Sequence, residues 1–272
     1  MTINRLATTP TRLPGLAALA LLLTLALTLT TPALAQKKRY MGEVDVCLGG
    51  GAAVLRWPTF QAFLDSYHAV NKADLGTAAT LPLAGVQSLS VRTLGCIELR
   101  YERLMGSSSS TFTNNVQRTF TVRQNMFVMG IEPVFRGEHL FIGPTLGLGA
   151  GETRVATSLQ YADGTVSWGR ERRLTGSYSV TSLALAAGLR TGYQWQRALL
   201  AVRLEWVPTG KATVSLDDNL PGNTARSLPT DYAAFVNVPP VGANSRVYQS
   251  VMPDLTSYRV SVQVGIRLNP AE

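Results

Sequence analysis

From residue 258 to 268 the chain alternates without a break. Tyr258, Val260, Val262, Val264, Ile266 and Leu268 are apolar; Arg259, Ser261, Gln263, Gly265 and Arg267 between them are small or polar. A period of two gives a strand one oily face and one wet face. The same alternation predicts seven earlier strands, at about 44–55, 86–91, 96–105, 118–135, 140–158, 179–194 and 199–213. Their oily positions include Val46, Leu48 and Val54, then Leu99 and Tyr101, then Phe127, Met129 and Phe135, then Ile142 and Leu148, then Leu183 and Leu189, then Leu200 and Val202. The predicted class is all-β, an eight-stranded antiparallel up-and-down barrel that crosses a membrane.

The connections sharpen this expectation. Those after the second, fourth and sixth strands are tight, at 92–95, 136–139 and 196–198. Those after the first, third, fifth and seventh are long and polar. Transmembrane barrels of bacterial outer membranes keep this parity, with short turns in the periplasm and long loops outside. A soluble sandwich has no reason to keep it.

Charge falls on the wet faces. Asp45, Glu98, Arg100, Glu102, Glu132, Arg190, Arg203, Glu205, Arg259 and Arg267 all lie opposite the oily residues. Ten ionisable groups of mixed sign do not suit a dry sandwich core. They suit the interior of a narrow barrel, where eight strands leave just enough room for side chains. A charged plug and no open pore are expected. Tyr101, Phe135, Phe141, Tyr193, Trp195, Trp206 and Tyr258 cluster near strand ends, as an aromatic girdle at two interfaces would. Strand propensity also enriches aromatics.

Two loops stand out. Residues 58–71 carry Phe60, Phe63, Leu64, Tyr67 and Val70 at helical spacing, with Pro58 near the start and Asn71 near the end, so a short amphipathic helix is expected. Residues 214–257 are rich in Pro, Asn and Asp, and a loop of that length is functional or disordered. The Gly-Ser-Ser-Ser-Ser-Thr run at 106–111 reads as a flexible loop.

The start of the chain changes the setting. Arg5 and Arg12 precede an apolar run at 16–29, and Ala33-Leu34-Ala35 offers a small-x-small cleavage pattern. A signal peptide over 1–35, cleaved after Ala35, is expected. A periplasmic segment at 36–43 and a barrel domain at 44–269 follow. The full chain carries a net charge of +8, and the first 35 residues contribute two of those positive charges. Basic residues are scattered, apart from 36–39 and 170–173, so no nucleic-acid partner is expected. The barrel-assembly machinery, outer-membrane lipids and lipopolysaccharide are the expected partners, and a monomer the expected state.

Candidate chemistry is sparse. The chain has two histidines and two cysteines. A metal site and a cofactor are not expected. Cys47 and Cys96 fall on the lumen face of strands that a third strand separates, so two free thiols are expected, with a disulfide as the alternative. His68 sits beside Asp65 and Ser66, the residue types an acyltransferase or lipid hydrolase would use. On a helix His68 could meet Asp65, while Ser66 would point away.

The strand–loop parity, the export signal and the closing Tyr-x-Val-x-Val-x-Val-Gly-Ile-x-Leu strand resemble the outer-membrane β-barrel superfamily. Its small members include outer-membrane proteins A and X. The segments at 60–67 and 98–104 are similar to proteins described as having an outer membrane protein beta-barrel domain. Gln263-x-Gly265-x-x-Leu268 resembles the signal that barrel-insertion machinery reads, although Asn269-Pro270-Ala271-Glu272 stands where a terminal aromatic is usual. The resemblance implies fold and location. It leaves three readings of function: a non-enzymatic outer-membrane protein, a lipid-modifying enzyme working through His68, and a soluble periplasmic carrier.

Overall fold

The computed structural model describes residues 43–167, 176–211 and 254–268. The expected signal peptide, the basic runs at 36–39 and 170–173, nearly all of the 214–257 loop and the last four residues lie outside the described residues. Eight long strands form a closed antiparallel barrel: β1 (Asp45–Arg56), β3 (Leu83–Thr93), β4 (Ile97–Phe112), β5 (Gln117–Ile131), β7 (Leu140–Gln160), β9 (Gly176–Trp195), β10 (Ala198–Lys211) and β11 (Thr256–Arg267). The first connection adds the helix α1 (Pro58–Val70) and β2 (Leu75–Thr77), which pairs with β4. Short β6 (Phe135–Arg136) and β8 (Val166–Ser167) pair with β7.

Each strand pairs with its sequence neighbour, and β1 closes on β11 through Asp45↔Arg267 to Arg56↔Thr256. The ladder is staggered. From Val54 the paired residues run through Tyr258, Trp206, Ala187, Leu146 and Ile131 to Ile97, low on β4. The short way from Val54 passes through Leu83, which lies beside Gly106 high on the same strand. That offset is the tilt a closed barrel requires.

Alternation sorts the faces. Leu48, Leu99, Phe127, Met129, Leu148, Leu200, Val262, Val264 and Ile266 all face outward and are exposed, Phe127 to 71%. The intervening residues face in. A chain that leaves this continuous apolar wall on its outside is solvated by lipid, because a soluble monomer exposes patches of only a few hundred Å².

Four expectations need correction. The second strand is longer than 86–91, running Leu83–Thr93, with Ser88, Ser90 and Arg92 facing in. The serine run at 106–111 is the upper half of β4, paired with β5 from Gly106↔Val122 to Thr111↔Gln117. The hairpin turn then needs only 113–116, with Asn115 at φ +61°. The long-loop parity therefore fails at this one place. Consecutive Ser107 to Ser110 put the same polar residue on both faces, so the period is invisible there. The fourth strand ends at Ile131, and Phe135 belongs to β6. Pro133 breaks the ladder, and its carbonyl approaches Gly143, where a Cβ would sit only 2.5 Å away.

The helix forms where expected. Pro58 starts it, and Asn71 closes it by donating its backbone N–H and its side-chain amide to Tyr67 O. Phe60, Phe63, Leu64 and Tyr67 are buried, while Val70 is exposed. They pack with Val86, Leu104, Phe112, Phe120, Val122, Val155 and Leu255 inside the barrel mouth. Burying each such side chain contributes about 1.5–3 kcal/mol.

Candidate functional site

The lumen is layered from the turn end upward. The lowest layer sets Glu43 and Asp45 among Arg92, Arg136 and Arg267. Arg267 Nε donates to Asp45 Oδ1 at 2.8 Å, and its Nη1 to Glu43 Oε1 at 3.2 Å. Arg92 pairs with Asp45, and Arg136 Nη2 lies 3.0 Å from Glu43 Oε2.

The middle layer holds four carboxylates and four guanidiniums. Arg203 donates to Glu98 at 3.0 and 2.6 Å and to Glu132 at 2.6 Å. Arg190 donates to Glu132 at 2.7 Å. Arg100 donates to Glu98 at 3.0 Å and Glu205 at 2.7 Å, and its Nε lies 2.9 Å from Glu102. Arg259 donates to Glu102 at 2.6 Å. Every acid in this layer meets at least one arginine, and the charges cancel. That balance is what makes ionised groups tolerable out of water. The ten residues singled out for the wet face all lie here or in the layer below, none more than 7% exposed.

Above them the lumen turns neutral. Gln124 accepts from Arg259 at 2.9 Å and donates to Thr153 at 3.0 Å, and Thr153 meets Ser182 at 2.8 Å. The aromatic face of α1 closes the top. Arg118 Nε donates to the Tyr67 hydroxyl at 3.1 Å, tying the helix to β5. The lumen is thus filled from Glu43 to Phe60.

Alternation read across each strand marked most of this network. It missed Glu43, Arg92, Arg118, Arg136 and Gln124. Glu43 and Arg92 carry the in-facing period one step past the predicted strand ends. Arg136 comes from a turn and leaves no periodic signal.

The girdle divides. Tyr193 and Trp195 are exposed at the turn end of the wall. Tyr101, half-buried Trp206 and Tyr258 stand in its upper part, with Trp206 paired to Tyr258 and Tyr101 beside Phe127, ring centroids 5.1 Å apart. Phe135 is half-buried on β6. Phe141 does not belong: it is 5% exposed, points into the lumen and lies under the Arg190 guanidinium, 5.1 Å from its centroid. The alternation that sends Leu140 and Ile142 outward sends Phe141 inward, so strand phase overrides its nearness to the strand end. Cys47 and Cys96 are both free, and Cys47 Sγ accepts from Arg190 Nη2 at 3.3 Å.

His68 does not gather with Asp65 and Ser66 as a catalytic set. Its Nε2 meets Ser110 Oγ at 2.9 Å, and the Ala79 N–H donates to the same pair at 3.3 and 3.1 Å. Asp65 accepts from Gln61 at 2.8 Å. Burial pushes the His68 pKa down, with Asp65 opposing that shift. Ser110 is fully buried, and this node ties α1 to β4. Among the described residues no group of three or more metal-ligating side chains gathers, and no helix is long and apolar enough to cross a membrane.

A closed ladder, an apolar outer wall bounded by aromatic residues and a neutralised lumen define a small transmembrane β-barrel of the outer-membrane type. No family model matches the chain, and no curated protein does. Among solved structures, it is similar to Ail, the attachment invasion locus protein of Yersinia pestis, crystallised in complex with the heparin analogue sucrose octasulfate, at 11% identity and TM-score 0.37, over 84% of this chain and 99% of that one. It is similar too to Neisserial surface protein A, at 11% identity and TM-score 0.37, over 83% and 98%. Identity this low carries no ligand and no activity across.

Proposed function

We propose that the chain is an integral outer-membrane protein without catalytic activity, anchored by its barrel and binding through its outer end. The observation that supports this reading best is the sealed lumen. Four guanidiniums neutralise four carboxylates at its centre, and α1 closes it above. Among the described residues, a lumen filled in this way leaves no path for a solute stream. The protein's working surface is then the outward end: α1 and the linker after it, and the upper halves of β4, β5 and β7. An eight-stranded wall that exposes Leu148, Phe127 and Leu200 to lipid also disfavours a soluble carrier.

The test is electrical and chemical. Purified protein inserted in planar bilayers is expected to show no steady conductance. A stable open channel would refute the sealed lumen. Cells expressing His68→Ala are expected to keep an unaltered lipid profile. Loss of a lipid modification in that variant would establish the enzyme reading instead.

A further inference from the structure

The outer wall changes character abruptly on one side. On β4, β5 and β7 the last apolar row holds Tyr101, Phe127 and Ala150, paired across the three strands. One step higher come Arg103, Asn125 and Glu152, and one step above those Met105, Arg123 and Arg154. Arg123 and Arg154 are directly opposed, and Arg103 is diagonal to Arg123. Like charges directly opposed across a ladder are destabilising. Among the described residues a single acid answers the three, Glu152, whose Oε1 accepts from Arg154 Nη2 at 3.1 Å. The Nε atoms of Arg103 and Arg123 are buried and have no hydrogen-bond partner. Higher still the same wall offers hydroxyls: Ser107, Ser109, Thr119 and Thr121, with Ser109 Oγ and Thr119 Oγ1 2.9 Å apart.

We infer that this wall is a binding site for a phosphorylated glycolipid of the outer leaflet, its phosphate held by Arg103, Arg123 and Arg154. The order of chemistry along the wall carries the inference. Aromatic and aliphatic side chains face the acyl chains. Three guanidiniums follow directly above the last aromatic row, and their forks match the oxygens of a lipid phosphate. Hydroxyls stand where sugars would extend. Phosphate brought between Arg123 and Arg154 converts a repulsive pair into a bridged one. The inference rests on the outer-membrane location proposed above and names the lipid class that the location supplies.

The test uses full-length protein refolded in detergent free of lipopolysaccharide. Bisphosphorylated lipid A, the same lipid dephosphorylated, and inorganic phosphate are titrated separately, and the temperature at which the folded band is lost on unboiled gels is followed. The bisphosphorylated lipid is expected to raise that temperature. Replacing both opposed arginines, Arg123→Gln with Arg154→Gln, is expected to weaken its binding by about ten-fold or more. Arg56→Gln, at an exposed basic residue elsewhere on the rim, is expected to leave binding unchanged. Equal binding by the double variant and the wild type would overturn the site. So would a response to the dephosphorylated lipid or to inorganic phosphate as large as that to the bisphosphorylated lipid. Failure to insert into phospholipid vesicles would refute the location itself, and is read separately from any titration.

Discussion

Removing Arg203 tests the lumen most sharply. Its guanidinium is 1% exposed and makes three short bonds, two to Glu98 and one to Glu132. Arg203→Met keeps the volume and removes the charge, leaving four carboxylates against three guanidiniums in the middle layer. Breaking a buried pair by deleting one partner costs about 3–5 kcal/mol. Glu98 keeps Arg100 at 3.0 Å and Glu132 keeps Arg190 at 2.7 Å, which argues for the low end, about 3 kcal/mol. Adding Glu132→Gln restores the balance of charge. The double variant is expected to recover about 1 kcal/mol or more, a coupling within the range for directly paired groups. The assay is urea unfolding from phospholipid vesicles, followed by tryptophan fluorescence, with the midpoint shift read at constant slope. An Arg203→Met protein within about 0.5 kcal/mol of wild type would refute the view that these charges are dry and mutually dependent.

Other outcomes follow from other parts of the fold. Val262→Arg places a charge in the middle of the lipid-facing wall and is expected to cost about 2–4 kcal/mol in the same unfolding assay, whereas a change at exposed Asn114 in the β4–β5 turn should cost little. Phe63→Ala empties the centre of the lid cluster, stacked on Phe60 and edge-on to Phe120, and is expected to cost about 3–5 kcal/mol, seen as faster proteolysis within α1. His68 gives the lid a pH dependence. Its folded pKa is depressed by burial, so the unfolded lid binds a proton that the folded lid resists, and the lid loses stability as pH falls through the usual histidine range of about 6.5. The protection factor of the Ala79 N–H, corrected for the intrinsic pH dependence of exchange, should fall between pH 7 and 5 in wild type and lose that dependence in His68→Gln.

Strict alternation made the barrel legible. In β11 every wet residue is followed by an oily one, and the structure keeps that phase from Thr256 to Arg267. The wet-face charges were readable for the same reason: one phase error would have put Arg203 and Glu205 in lipid together. Legibility ended where the contrast did. The Ser107–Ser110 run is polar on both faces because Ser108 and Ser110 accept from the backbone N–H groups of Thr80 and Ala79 on one side, while Ser107 and Ser109 stand above the apolar rows on the other. Arg136 sits at a turn, outside any long strand's period, whereas the inward Phe141 obeys the period of β7, with Leu140 and Ile142 outward on either side. The helix was readable from Phe60, Phe63, Leu64 and Tyr67, but not its place. Only the assembled barrel shows that those rings face Phe120 and Val155 inside the mouth. The His68–Ser110 bond links residues 42 positions apart, and no local pattern announces it.

The most direct measurement is the mobility of the protein from washed membranes on a denaturing gel, with and without boiling. A closed barrel with a paired lumen should stay folded in detergent until heated, so the unboiled band should run at a different apparent mass from the boiled one, and salt and urea washes should not remove it from the membranes. A single mobility in both lanes, with the protein released by osmotic shock, would contradict the lipid-facing wall and the transmembrane barrel with it.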